Sequence, residues 1–298
     1  MPMSPIPLAR ACALLGVDGT GARLLHLRAN AVYHVPGPNL VLRLRHAPGN
    51  TAVLERSRAA VEVTAWLADH DYPTIRPAAL DQPAVIDGWI VTAWHHVTST
   101  TQVQPHPHHL ARLLLQLHQT KTPVTVPSIQ PLGTLRADLD IEEDQRSATG
   151  VLNPVQRAWL LERCAHLEDA YARLDPPLGY GLIHGDAHTG NLFPDQKRWV
   201  LGDWDSIAYG PHLQDFIPTM MGHRRFGRPR DRWTTFCGAY GIDPELERHR
   251  AARILRAARE LRSLAAYIRS ADQPEIQAEL QRRVTSLIDR TSTVWRPI

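Results

Sequence analysis

The chain has 298 residues, 43% apolar and 21% charged, enough for one large or two medium domains, each with its own core. Its net charge of +3 is far from the dense cationic load of a dedicated nucleic-acid binder, so no nucleic-acid partner is expected. No apolar run reaches the length of a membrane-spanning helix, and the opening MPMSPIPLARACALLGV lacks the basic and apolar regions of a secretory signal, so neither a membrane partner nor secretion is expected.

In chain order, Pro5 to Leu15 reads as a short helix ended by Gly16, and Arg23 to Arg28 as a strand. Ala31 to Val35 and Leu40 to Leu44 read as two further strands around Pro36-Gly37-Pro38-Asn39, where Pro fixes φ and Gly permits positive φ. Thr51 to His70 has near-helical apolar spacing and ends at Asp71-Tyr72-Pro73. Ala84 to Ile86 and Trp89 to Thr92 flank Asp87-Gly88, a strong two-residue hairpin turn. Thr98 to His109 is polar and contains Pro. Its His106, His108 and His109 are interrupted by Pro107 and have no adjacent carboxylate, so they read as a solvated loop rather than a metal site.

Leu110 to His118 reads as an apolar helix. Asp138, Asp140, Glu142, Glu143 and Asp144 form an acidic cluster, either an exposed charged turn or an attractor for a cationic substrate. Asn153-Pro154 starts a helix through about Arg173. Beyond it, His212 to Met221, Trp233 to Tyr240, Pro244 to Ser270 and Pro274 to Arg290 read as helices. The basic stretch Arg224 to Arg230 reads as a solvated loop, with phosphate or an acidic partner as the alternative. Cys12, Cys164 and Cys237 are widely spaced and show neither a disulfide framework nor zinc spacing, which suits a reducing, cytoplasmic location.

The stretch with the most chemistry is Leu182 to Tyr209: LIHGDAHTGNLF, a polar break, then VLGDWDSIAY. Two apolar arms enclose a polar turn at Pro194 to Lys197, as in a hairpin. The polar loop of this hairpin-like stretch carries Asp186 and Asn191, and Asp203 lies just beyond the second arm. Phosphoryl transfer needs little covalent work from a protein. It needs metal ions to neutralise phosphate charge and a carboxylate to orient the attacking hydroxyl. Mg²⁺ prefers oxygen ligands, and the Asn191 amide oxygen with the Asp203 carboxylate suits it, leaving Asp186 for the hydroxyl.

The spacing D-x-x-x-x-N, preceded by His184-Gly185 and followed after a strand by Gly202-Asp203-Trp204-Asp205, resembles a kinase catalytic loop and its metal-binding Asp. With Gln214-Asp215-Phe216 downstream, the phrase is similar to that of the aminoglycoside phosphotransferase family, whose relatives include choline, fructosamine and homoserine kinases. The resemblance implies an α+β, bilobal protein-kinase-like fold. A small N-terminal lobe, 1–94, would carry an antiparallel sheet and one main helix and bind the nucleotide. A larger, mainly helical lobe, 95–298, would carry catalysis and substrate binding. It implies ATP (or another nucleoside triphosphate) and Mg²⁺ as cofactors, and a small-molecule hydroxyl as substrate, an aminoglycoside-like antibiotic or a small metabolite.

The implied roles fall residue by residue. Asp186 is the catalytic base, and Asn191 and Asp203 are the metal ligands. His184 braces the loop, Asp205 supports the metal shell or faces substrate, and Asp215 holds the catalytic loop. Asn30, within Asn30-Ala31-Val32-Tyr33, belongs to the nucleotide loop. Ala93 and His95 belong to the segment whose backbone meets the adenine. Arg43 stands where the family's strand carries a phosphate-contacting Lys, and an Arg fork can bind phosphate. A helix Glu should pair with that cation, yet the usual position holds Ala60. Glu62 and Glu55 are the candidates, and the departure leaves that ion pair open. The missing Lys and displaced Glu motivate a second reading, a catalytically weak, nucleotide-binding regulator on the same fold.

Overall fold

The computed structural model describes residues 6–27, 30–98, 103–144, 151–196 and 198–296. The expected strand end at Arg28, part of the polar loop after Thr98, and Lys197 lie outside the described residues, as do the side chains of Glu142, Glu143 and Asp144. Two compact units emerge. The first comprises Met1–Pro105, Leu113–Pro127 and His184–Tyr209, and the second His106–Arg112, Ser128–Ile183 and Gly210–Ile298. The stretch from His184 therefore belongs with the N-terminal sheet.

In the first unit, helix α1 (Leu8–Leu14) precedes strands β1 (Arg23–Leu27), β2 (Ala31–Val35) and β3 (Leu40–His46). Helix α2 (Thr51–Asp69) and strands β4 (Ala84–Ile86) and β5 (Trp89–His95) follow. The sheet order is β1-β2-β3-β5-β4, with antiparallel neighbours. Two-residue alternation decides which side chains meet the core. Leu40, Leu42 and Leu44 of β3 are buried in a cluster with Ala11, Cys12, Leu15, Trp89, Val91 and Ala93. Full burial of a leucine contributes roughly 1.5–3 kcal/mol. Val41, Arg43 and Arg45 alternate onto the opposite face.

The turns follow their residues. Asp87 and Gly88 both have positive φ, 51° and 78°, as a two-residue hairpin turn demands. Between β2 and β3 the positive φ falls on Asn39, at 53°, and not on Gly37 as the turn chemistry suggested; Asn tolerates that region through its short polar side chain. Asn50 caps α2 by accepting a hydrogen bond from the Val53 N–H at 3.1 Å. The buried stripe of α2 runs through Ala60, Val63, Thr64 and Leu67.

Helices α3 (Pro107–Gln119), α4 (Gly133–Asp144) and α5 (Pro154–Ala172) and strand β6 (Tyr180–Ile183) lead to His184. The hairpin of β7 (Leu192–Asp195) and β8 (Arg198–Leu201) then pairs Leu192 with Leu201 and Phe193 with Val200. Strand β9 (Ala208–Pro211) and helices α6 (Ile217–Arg225), α7 (Asp231–Tyr240), α8 (Arg250–Arg262), α9 (Leu264–Arg269) and α10 (Pro274–Ile288) complete the chain. The result is the expected mixed fold, an antiparallel N-terminal sheet with a mainly helical remainder.

The second unit has a core of α4, α5, α8, α9 and α10, centred on Leu135, Leu139, Leu160, Leu264, Leu280 and Val284. Asn153 and Gln156 form a reciprocal capping box at the start of α5. Two charged stretches differ from expectation. The basic stretch is solvated only in part: Arg224, Arg228 and Arg230 are exposed, yet Arg224 Nη2 reaches Glu247 Oε1 at 3.1 Å and Arg230 Nη2 reaches the same oxygen at 3.0 Å, while Arg225 is buried. Arg225 Nε donates to Glu260 Oε1 at 2.7 Å, its guanidinium 4.6 Å over the Trp295 ring. The acidic stretch is helical, and Asp138 is buried against Arg269, 2.6 Å away. Among the described residues, no group of three His, Cys, Asp or Glu is placed to hold a metal ion, and no helix is long and apolar enough to cross a membrane.

Burial pushes the Asp138 carboxyl up to about 6, against the pull of Arg269. The unfolded value is about 4, so the folded state holds this proton more tightly; stability is full below about pH 4 and falls as pH rises towards 6. Asp138→Asn, neutral throughout, should gain stability relative to the parent between pH 4 and pH 7, by on the order of 2 kcal/mol. Denaturant melts at the two pH values check this, and a difference independent of pH would refute it.

Candidate functional site

The site is assembled on the first unit, and its frame is a backbone turn. After β6 the chain enters His184, which is fully buried with its ring 4.8 Å from that of Trp204. His184 Nε2 lies 2.9 Å from the Gly202 carbonyl oxygen. A carbonyl only accepts, so Nε2 carries the proton, and Nδ1 is left to accept the long contact from the Asp186 N–H at 3.4 Å. One imidazole thus ties the start of the loop to the end of β8. Gly185 has φ +80°, and a Cβ there would lie 2.1 Å from the Ser206 carbonyl oxygen. Glycine is required on both counts.

Asn191 closes the loop. Its Nδ2 donates to the Asp186 carbonyl at 3.0 Å, which fixes the amide and leaves Oδ1 as its acceptor atom. Its backbone carbonyl accepts from the Gly202 N–H at 2.9 Å, so loop and strand end are joined again. Asp186 is half-buried and Asn191 buried. Asp203 follows directly at the end of β8 with φ 60°, ψ 59°, a left-handed conformation that is costly for a residue with a Cβ and is a recurrent mark of functional sites.

Charge converges on the two Asp carboxylates. Arg43 Nη1 lies 2.7 Å from Asp203 Oδ1, and Nη2 lies 2.5 Å from Asp205 Oδ2. Asn30 Nδ2 donates to Asp205 Oδ2 at 3.3 Å, and Arg45 Nη1 lies 3.8 Å from the same oxygen. Burial raises the Asp205 carboxyl, with Asp203 adding to the rise and Arg43 opposing it. For Arg43, burial works against the charge, but Asp205 and Asp203 outweigh it and the net shift is upward. Arg56 of α2 stands in the same field: burial and then Arg45 lower it, while Asp205 raises it.

The remaining expected residues divide. Glu62 and Glu55 are exposed on α2, and Ala60 is buried in its stripe. One turn before Ala60 the helix presents Arg56, a cation, to the Asp205 neighbourhood. Ala93 does not offer its backbone outward. Its N–H donates to Gln82 Oε1 at 2.7 Å, and its carbonyl accepts from the Ala78 N–H at 2.9 Å and from Gln82 Nε2 at 3.1 Å. The His95 N–H donates to the Arg76 carbonyl at 2.9 Å. Asp215 is fully buried in the second unit, where burial and then Asp215 push the Tyr240 hydroxyl up to about 12. Arg45 and Arg56 were missed by sequence reasoning. The signal was present: Arg45 shares the Arg43 face of β3 by two-residue alternation, and Arg56 precedes Ala60 by one helical turn.

The profile of the phosphotransferase enzyme family, APH, matches residues 21–255. The chain belongs to that family. Among curated proteins, none matches it. Solved structures of this family's fold align over nearly the full length of both chains. An amicoumacin kinase, hAmiN, in complex with AMP-PNP, Ca²⁺ and Ami, aligns at TM-score 0.69 and 14% identity, over 94% of this chain and 91% of that one. Choline kinase LicA from Streptococcus pneumoniae aligns at TM-score 0.64 and 13% identity, over 94% and 97%. Spectinomycin phosphotransferase APH(9)-Ia, in complex with ADP and spectinomycin, aligns at TM-score 0.58 and 16% identity, over 96% and 95%. At such identities the likeness establishes the phosphotransferase fold.

The closeness of Gly185 to Ser206 makes this family member's loop intolerant of a side chain. Gly185→Ala should destabilise the chain by roughly 2–4 kcal/mol, since both the positive φ and the carbonyl contact are lost to it. Urea denaturation measures this, and a shift below about 0.5 kcal/mol would show that the Ser206 segment moves aside freely.

Proposed function

We propose that the chain is an ATP-dependent kinase that moves the γ-phosphate to a hydroxyl of a small molecule. The observation that carries this is the crossed tie of His184 to Gly202 and of Asn191 to Gly202. It sets Asp186, Asn191 and Asp203 around one turn. The donor set fits a hard divalent cation: an amide oxygen turned away from Asp186 and a carboxylate in a strained, half-exposed position. Asn191 Oδ1 and Asp203 would hold Mg²⁺, which when bound neutralises phosphate charge. Asp186 orients the acceptor hydroxyl and takes its proton. In a loose transition state an ordinary carboxylate suffices, because the hydroxyl needs orienting more than deprotonating. Arg43 binds the phosphate chain by its fork.

The acceptor is an amino alcohol, a sugar or an aminoglycoside-like compound, in keeping with the family and with the amicoumacin, choline and spectinomycin named for similar structures. The acidic stretch gives little support to a polycation, because Asp138 is buried on Arg269. Three free, buried thiols suit a reducing cytoplasmic compartment. Ala93 is left out of the nucleotide contacts because its backbone groups are already engaged.

A second reading, a nucleotide-binding regulator with weak catalysis, draws on the Arg43 fork across both Asp203 and Asp205, which competes with metal for the same oxygens. A Mg²⁺-dependent turnover screen against pooled aminoglycosides, amino alcohols, sugars and nucleosides separates the two. The kinase reading expects one pool to stimulate ATP turnover and Asp186→Ala to lower kcat about 10²–10⁴-fold with the fold intact. Nucleotide binding with no stimulated turnover would favour the regulator.

A further inference from the structure

We propose that Arg45 and Arg56, with Arg43, form a three-guanidinium cradle that selects the phosphoryl donor by the length of its phosphate chain rather than by its base. This rests on the donor-site reading above. Its first support is placement. Arg43 and Arg45 stand two residues apart on the face of β3 opposite the buried Leu42 and Leu44. Helix α2 packs against the Trp204–Ser206 turn, and Arg56 extends the α2 stripe of Ala60, Val63 and Leu67 by one turn. Strand and helix thus bring three cations to one pair of carboxylates, with Arg43 touching both and Arg45 3.8 Å from Asp205.

The second support is the charge count. In the kinase arrangement a strand Lys is offset by a helix Glu. Here the helix supplies a further cation, so three guanidinium groups face two carboxylates. With Asp203 given to a metal, three cations face one carboxylate. Such a surplus in a partly buried setting favours a polyanion, and each further phosphate offers oxygens that a planar fork can take in pairs. The third support comes from the opposite end of the donor site. The Ala93 N–H and carbonyl and the His95 N–H are engaged within the unit, so the backbone groups that would read a base there are fewer.

The test is competition against a fluorescent ATP analogue in magnesium buffer, with ATP, GTP, ADP, AMP and inorganic tripolyphosphate as probes. The cradle expects tripolyphosphate, which has no base, to compete within about tenfold of ATP, and ATP and GTP to compete about equally. Arg56→Gln and Arg45→Gln should each weaken ATP, GTP and tripolyphosphate about tenfold, the equivalent of one charge-assisted contact, and AMP less than twofold. Arg56→Lys should recover part of the loss, since it keeps charge but not the fork. Melting temperatures of the variants guard against misfolding, and Arg45→Gln, on a strand face, stands if Arg56→Gln does not fold. Failure of tripolyphosphate to compete overturns the proposal. So does an equal loss for AMP and ATP, which would mark a merely structural role, or no loss at all. The outcomes stay distinct from the kinase reading. Acceptor turnover with unchanged ATP binding in Arg56→Gln removes the cradle and keeps the kinase. Tripolyphosphate binding that the variants lose, with no acceptor phosphorylated, does the reverse.

Discussion

The hydrogen bond from His184 Nε2 to the Gly202 carbonyl joins the start of the loop that carries Asp186 and Asn191 to the end of β8, next to Asp203. Gly202 also donates its N–H to the Asn191 carbonyl, so a single residue is held from both sides of the loop. The next residue, Asp203, adopts a left-handed conformation directly after this doubly held residue. A buried imidazole with both ring nitrogens engaged is a stiff strut, because losing either bond would leave a polar atom in a dry environment. The left-handed Asp203 therefore follows a residue held at both its N–H and its carbonyl, a setting in which an uncommon backbone conformation persists.

Charge is distributed in the two units by one logic, with different outcomes. In the second unit, Arg224 and Arg230 converge on Glu247, and Arg225 stacks on Trp295 while bonding Glu260. There Arg225 is buried as an internal brace, while Arg224 and Arg230 are tied to Glu247 and stay exposed. Around Asp203 and Asp205, Arg43, Arg45 and Arg56 gather, and both Asp residues are partly exposed. The same residue type serves as a structural brace in the second unit and, on the reading proposed above, as a binding group in the first.

The hairpin and its Asp-Asn-Asp order were legible because the spacing is short-range: each residue is fixed by its neighbours in sequence. The sheet was legible for the same reason, through alternation in Leu40–His46 and the Asp87-Gly88 turn. The ion pairs of the basic stretch and the burial of Arg225 were not legible because the partners, Glu247 and Glu260, lie on elements far along the chain. The acidic stretch was misread as a turn because its charges masked the helical spacing of Leu135 and Leu139. Arg45 and Arg56 stayed hidden because periodicity gives the face of an element but not which cation meets which anion. The family's expected Glu directed attention to Glu62, which is exposed, and away from the cation one turn before Ala60.

The absence of lysine from β3 has a consequence for chemical labelling. The chain holds two lysines, Lys121 and Lys197, and β3 carries Arg43 and Arg45 instead. Nucleotide-derived acylating reagents need a neutral amine close to the phosphates, and a guanidinium stays protonated at every working pH. Covalent occupancy of this site calls instead for dicarbonyl reagents, which condense with guanidinium groups. Protection by a bound donor would then be read as a loss of adducts at arginines on one strand face and one helix turn.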